Sequence, residues 1–176
     1  MTSILRKIIY FVYGWKFGTV VICSILAIAL WSFINKCVSK KVGKIINCMM
    51  LAIITIAILF FTVANRSSYS GRAIRLIPFV SFVNAGYGAY QTMWLNAFFF
   101  LPFGLSLPFL LPEKLRHKAL LTIIIAALFS TCIEATQYYY QLGLCETDDV
   151  IMNTLGAALG TISYITANHK KEKSEP

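Results

Sequence analysis

Five apolar stretches dominate the chain, and each is about as long as a bilayer is thick. They run from Phe17 to Asn35, Ile45 to Ala64, Met93 to Leu111, Ala119 to Tyr140 and Val150 to Ala167. A helix needs about 20 residues, at a rise of about 1.5 Å each, to cross about 30 Å of hydrocarbon. No water reaches that layer, so backbone N–H and C=O groups must be bonded within the segment, and a helix does this. Strand-like runs of Ile, Phe and Val do not override the requirement. The expected fold is all-α, a polytopic membrane bundle of about five transmembrane helices. Composition agrees. The chain is 58% hydrophobic and 13% charged, with a mean hydropathy of +0.71. Soluble domains carry about 45–50% apolar and about 25% charged residues. A globule of 176 residues would need more polar surface than this to cover itself.

The formal charge of +9 invites a nucleic-acid reading, but its distribution opposes one. Basic residues collect at the edges of apolar runs: Lys36, Lys40, Lys41 and Lys44; Lys114, Arg116 and Lys118; Lys170, Lys171 and Lys173. That pattern fits topology determinants beside anionic headgroups, with no basic stripe interleaved with aromatics. These ten residues fall on one side of a five-span topology. The other side holds six: Arg6, Lys7, Lys16, Arg66, Arg72 and Arg75. The positive-inside rule therefore places the N-terminus outside and the C-terminus in the cytoplasm. Residues 1–168 form the expected bundle, with a solvated, disordered tail at 169–176. Met1 to Trp15 is expected to lie along the membrane surface or to extend the first helix. Ala27-Ile28-Ala29 resembles a signal-cleavage site, but cleavage there would leave Trp31 to Lys44 as an exposed start. The five cysteines are irregularly spaced and read as small apolar helix residues, with neither a disulfide framework nor a zinc site.

Polar residues inside the spans need a reason. Ser130, Glu134, Gln137 and Gln141 recur at helical spacing in the fourth span and share one face. In the fifth, Asp149 and Asn153 lie one turn apart, followed by Gly156 and Gly160 in a spacing that permits close helix contact. In the third, Asn96 precedes Pro102 and Gly104, which should kink or loosen the helix. Glu146, Asp148 and Asp149 are three of only seven acids, and no basic residue interrupts their loop. In the expected topology all of these approach the outer ends of their helices, and Arg72 and Arg75 hang over the same face. Bland roles stand beside functional ones. Asp148 and Asp149 serve equally as an N-terminal cap, because acids complement the helix dipole. Asn96 and Gln137 read first as interhelical hydrogen bonds, Gly156 and Gly160 as packing residues, and Tyr138 to Tyr140 as an interfacial belt. For Glu134 the expense of an intramembrane acid favours a function over an internal Glu–Arg pair.

Together these residues resemble the VanZ-like family of bacterial membrane proteins. "NAFFFLPFG" (96–104) carries Asn96, Phe100, Pro102 and Gly104 at the family spacing. "STCIEATQ" (130–137) carries Ser130, Glu134 and Gln137, and "CETDDVIMNTLGAALG" (145–160) carries Asp148, Asp149, Asn153 and Gly156. Glu146 stands where the family's acidic element begins with Asp, and "RLIPF" (75–79) resembles the segment before its third span. The resemblance covers Arg72 to Gly160, and the first two spans carry no signature. It implies a multi-pass protein of the bacterial cell membrane that lowers susceptibility to glycopeptide antibiotics, since the founding member is tied to teicoplanin resistance. The expected mechanism is an outer-facing polar pocket acting on a membrane lipid, a lipid-linked cell-wall precursor or the drug. Glu134, Asp148 and Asp149 would supply charge; Asn96, Gln137 and Asn153 would supply hydrogen bonds. No cofactor, metal or nucleic acid is expected. Two other readings stay open. One is a membrane enzyme on a lipid headgroup or lipid-linked intermediate, using carboxylates for a divalent metal or as a general base. The sequence marks no catalytic residue for it: no activated Ser, Cys or His is apparent. The other is a proton-coupled transporter using Glu134, although matching broken helices are lacking.

Overall fold

In the computed structural model the described residues are 17–66, 71–80, 87–112, 114–115 and 117–172. The stretch Met1 to Trp15 and the chain beyond Glu172 lie outside them. Among the described residues, five helices are long and apolar enough to cross a membrane, as the hydropathy pattern requires. They are α1 (Phe17–Cys37), α2 (Lys40–Leu59), α3 (Tyr87–Leu110), α4 (Lys118–Tyr139) and α5 (Thr147–Glu172).

Their bounds differ from the apolar runs in instructive ways. α2 starts at Lys40, ahead of Ile45, where Ser39 Oγ accepts from the Val42 N–H at 3.4 Å. Lysine stems can lie along the helix while their charges reach the interface. After Leu59 the chain continues into one π-helical turn, Phe60–Ala64, which no hydropathy signal marks. α3 passes through both Pro102 and Pro108 without ending. α5 runs to Glu172, so the first residues of the expected tail are helical. α4 ends at Tyr139, and Gln141, with φ of 55°, turns the chain out of the helix. The Leu142 N–H reaches the Gln137 carbonyl at 2.8 Å, a Schellman-type stop. Gln141 therefore does not continue the polar face expected of this helix.

α3 is the centre of the bundle. Half of its spanning window is buried (50%), against 11% in each of α1 and α2. Leu30, Phe33, Ile53 and Ile56 on the outer helices are largely exposed and suit a lipid surround. Lipid is as apolar as a helix face, so helices in a membrane are held by close packing rather than by hydrophobic burial. Glycines supply that packing here. A Cβ at Gly104 would fall on the Ala157 carbonyl, and one at Gly156 on the Ala97 carbonyl; Gly160 sits against Leu101. The parallel backbones of α3 and α5 thus touch, and Thr161 Oγ1 of α5 reaches the Gly104 carbonyl of α3 at 3.2 Å. Phe103 and Phe129 stack with centroids 5.8 Å apart and fill the space toward α4.

Helix direction alternates along the chain. The C-terminal ends of α2 and α4 therefore share one end of the bundle with the N-terminal ends of α3 and α5. Two loops meet over that end as a small parallel sheet, β1 (Ala73–Arg75) beside β2 (Leu144–Glu146). Ala73 pairs with Leu144, Ile74 with Cys145 and Arg75 with Glu146. No strand was expected. The pairing gives loop backbone groups the partners that a membrane-edge setting withholds.

Candidate functional site

Charged and amide side chains from three helices gather beneath this sheet. Glu134 (3% exposed) comes from α4, Asp149 (6%) and Asn153 (3%) from α5, and Asn96 from α3. Glu134 Oε2 accepts the Glu146 N–H at 2.9 Å, so the acid holds the strand that begins the next helix. Asn96 hydrogen-bonds to the Asp149 side chain. Asn153 Nδ2 donates to Ser130 Oγ at 2.8 Å, one turn inward of the two acids. Gln137 (1% exposed) donates Nε2 to the Thr62 carbonyl at 2.9 Å, tying α4 to the π-helical turn after α2. The expected set Asn96, Glu134, Gln137, Asp149 and Asn153 is therefore brought together.

The other expected residues hold the roof. Asp148, 2% exposed, accepts the Phe79 N–H at 2.6 Å. Phe79 has φ of 64°, a conformation that costs a bulky residue about 1–3 kcal/mol. Asp148 thus fixes the loop, besides complementing the α5 dipole. Arg75 Nη1 pairs with Glu146 Oε1 at 2.5 Å, across the one β1–β2 position where opposite charges face. Arg72 does not join the acids in this way: its guanidinium lies 5.8 Å from the Tyr138 ring centroid, a cation–π geometry. Gly104, Gly156 and Gly160 belong to the α3–α5 seam rather than to the polar cluster, and Pro102 lies within α3.

Sequence reasoning missed Arg66. Its positive charge acts on both Glu134 and Asp149. Gly143 makes room for it, since a Cβ there would lie 2.6 Å from Arg66 Nη1. The available signal was an arginine directly after a span, on the side of the acids. Cys145 lies within the same field. Its partial burial, and then the carboxylates of Glu134, Asp149 and Glu146, push the thiol above its usual range. No group of three or more His, Cys, Asp or Glu side chains among the described residues is arranged to hold a metal ion.

This arrangement spans the part of the sequence that matches known proteins. The VanZ/LLP1 family matches over residues 44–168. The chain belongs to the VanZ/LLP1 family. The match takes in most of α2 and all of α3 and α4, so the family region reaches further toward the N-terminus than the signature at Arg72 to Gly160. A similar protein is "Protein VanZ" of Enterococcus faecium, 26% identical over 140 residues, covering 74% of this chain and 81% of the relative. No solved structure matches the chain. Family membership and the five apolar helices identify a multi-pass membrane protein. Every residue of the polar cluster lies inside the family region.

Proposed function

We propose that this protein lowers susceptibility to glycopeptide antibiotics of the teicoplanin class. The polar cluster at one end of the bundle would do so by binding a group on an envelope lipid, a lipid-linked precursor or the drug. One observation carries the reading: side chains from α3, α4 and α5 converge there with more buried acid than nearby base. A charge buried in a span is expensive to keep, and nothing about helix packing requires three helices to spend acids and amides at one level. Family membership supplies the antibiotic class.

The cluster faces the cell exterior in this proposal. Support comes from charge: Lys36, Lys40, Lys41, Lys44, Lys114 and Lys118 all lie toward the opposite end of the bundle, where the positive-inside rule expects the cytoplasm. Glu134 and Asp149 supply charge to the ligand, Asn96, Gln137 and Asn153 orient it, and Asp148 with Arg75 positions the roof. A metal-dependent enzyme gains no support from the described residues, among which no three His, Cys, Asp or Glu side chains are arranged to hold a metal ion.

The test is expression in a susceptible bacterial host, with teicoplanin and vancomycin susceptibility measured at matched membrane levels. Wild type should raise the inhibitory concentration of teicoplanin, while Glu134→Gln and Asp149→Asn should return it to the host baseline. Protection that survives both substitutions in well-folded protein would defeat the proposal.

A further inference from the structure

The cluster is built mostly from acceptors, and two of them are open. The Thr62 carbonyl can only accept, so it fixes the Gln137 nitrogen on its own side. Gln137 Oε1 is then left buried without a hydrogen-bond partner among the described residues. Asn153 repeats the arrangement, with Nδ2 on Ser130 Oγ and a buried, unpartnered Oδ1. Gln137 lies about one turn outward of Glu134 on α4, and Asn153 one turn inward of Asp149 on α5. The open oxygens thus flank the carboxylate pair along one seam. Buried polar atoms left without partners are rare and need an explanation.

Arg66 supplies the opposite charge but does not close on the acids. It acts electrostatically on Glu134 and Asp149. Yet no ion pair or hydrogen bond joins it to either among the described residues. Two acids lie in the field of one guanidinium without an ion pair to it, and an open amide oxygen stands about one turn from Glu134, a set of groups that complements a zwitterion.

We infer that the cluster receives an aminophospholipid headgroup, with a primary ammonium on Glu134, Asp149 and Gln137 Oε1 and the neighbouring phosphate on Arg66. This rests on the reading that the cluster is a ligand site. An ammonium brings three N–H donors to acceptors that lack them. A guanidinium suits phosphate, which it can bind through two parallel bonds. The acyl chains have a surface to follow, because Leu76 (71% exposed), Ile77 (70%) and Phe79 (55%) project from the segment that Asp148 ties to the cluster.

The experiment compares lipids that differ in the headgroup. Full-length protein is reconstituted with phosphatidylethanolamine, its N-trimethylated counterpart phosphatidylcholine, or phosphatidylglycerol, and retained lipid is counted by native mass spectrometry. Phosphatidylethanolamine should be retained at least about tenfold better than phosphatidylcholine, the scale of one charge-assisted hydrogen bond. Glu134→Gln and Asp149→Asn should each erase that preference. Arg66→Gln, outside the spans, should weaken retention about tenfold and carries the test where the acid variants do not fold. Soluble phosphoethanolamine that displaces the lipid makes the headgroup alone sufficient; failure to displace it assigns the bilayer lipid, and both uphold the chemistry. Equal retention of phosphatidylcholine, or an unchanged preference in folded variants, overturns the inference. The two readings fail separately. A resistance phenotype lost in Glu134→Gln without any ethanolamine preference removes the ligand but keeps the function. An ethanolamine preference without a resistance effect does the reverse.

Discussion

Two polar networks sit at opposite ends of one bundle and are finished differently. At the end opposite the sheet, Asn47 (0% exposed) accepts from Trp31 Nε1 at 2.8 Å and donates to Asn35 Oδ1 and the Gly43 carbonyl, each at 2.8 Å. Asn35 in turn donates to the Trp31 carbonyl. Both polar atoms of the Asn47 side chain have partners, and the network staples α1 to α2. Beneath the sheet, Glu134 and Asp149 lie in the field of Arg66 without an ion pair to it among the described residues, and the amide oxygens of Gln137 and Asn153 stay open. A closed network in a membrane holds helices together. An open one weakens the bundle and is explained by something that arrives from outside the chain.

The largest expected effect falls on the scaffold that both networks share. Gly156→Val places a branched side chain on the Ala97 carbonyl of α3, where backbone rather than a flexible side chain must move. A loss of about 3 kcal/mol, the upper part of the overpacking range, is expected. Folded yield in detergent and the thermal midpoint should fall together. Retention of wild-type stability would mean that the α3–α5 seam does not set the position of the cluster.

Next comes the closed network. Asn47→Leu strands Trp31 Nε1 and Asn35 Oδ1, at a cost of about 1–2 kcal/mol. Stability measured by thermal unfolding should drop. Protection against teicoplanin per folded molecule should not change. The open network should answer the opposite way. Glu134→Gln removes a buried charge, so stability should stay within about 0.5 kcal/mol of wild type or rise, while protection disappears. Should Asn47→Leu abolish protection at full stability, the division of labour between the two ends is wrong.

How far this difference could be read in advance depends on the physics behind each part. The five spans were legible because hydrocarbon leaves a backbone no option but the helix. The meeting of Asn96, Glu134, Gln137, Asp149 and Asn153 at one end was legible because successive spans reverse direction, so helix ends sort themselves by parity. The roof was not. β1 and β2 are three-residue strands from loops on either side of α3 and α4, and so short a run carries no periodicity. Arg75 was expected over the acids and pairs with Glu146, whereas Arg72 turned to Tyr138; sequence offers no means of choosing between two arginines on one loop. Arg66 was counted only as a topology charge, because nothing linked it to Gly143 before the chain was folded. Gln141 was placed on the α4 face by spacing alone, and the left-handed turn that removes it occurs at a residue other than glycine.

The smallest effect is a labelling rate, and it reads both ends at once. Take a chain in which Cys23, Cys48 and Cys132 are replaced by serine, leaving Cys145 in the sheet and Cys37 beside Lys36. An impermeant maleimide should reach Cys145 in intact cells and Cys37 only after permeabilisation, if the open network faces outward. Reaction at Cys145 should also be slow near neutral pH. Burial and the surrounding carboxylates raise its thiol, and only the thiolate reacts. A raised thiol pKa keeps the thiolate fraction low until the pH climbs past the ordinary thiol range, so the rate should keep rising where an ordinary thiol has levelled off. Glu134→Gln removes the largest of the charge contributions to that shift. It should speed labelling near neutral pH, because more of the thiol is then thiolate, and leave the rate at high pH unchanged. An acceleration at every pH would mean that the substitution has loosened the strand held by Glu134, and that the acid is a structural tie rather than an open charge.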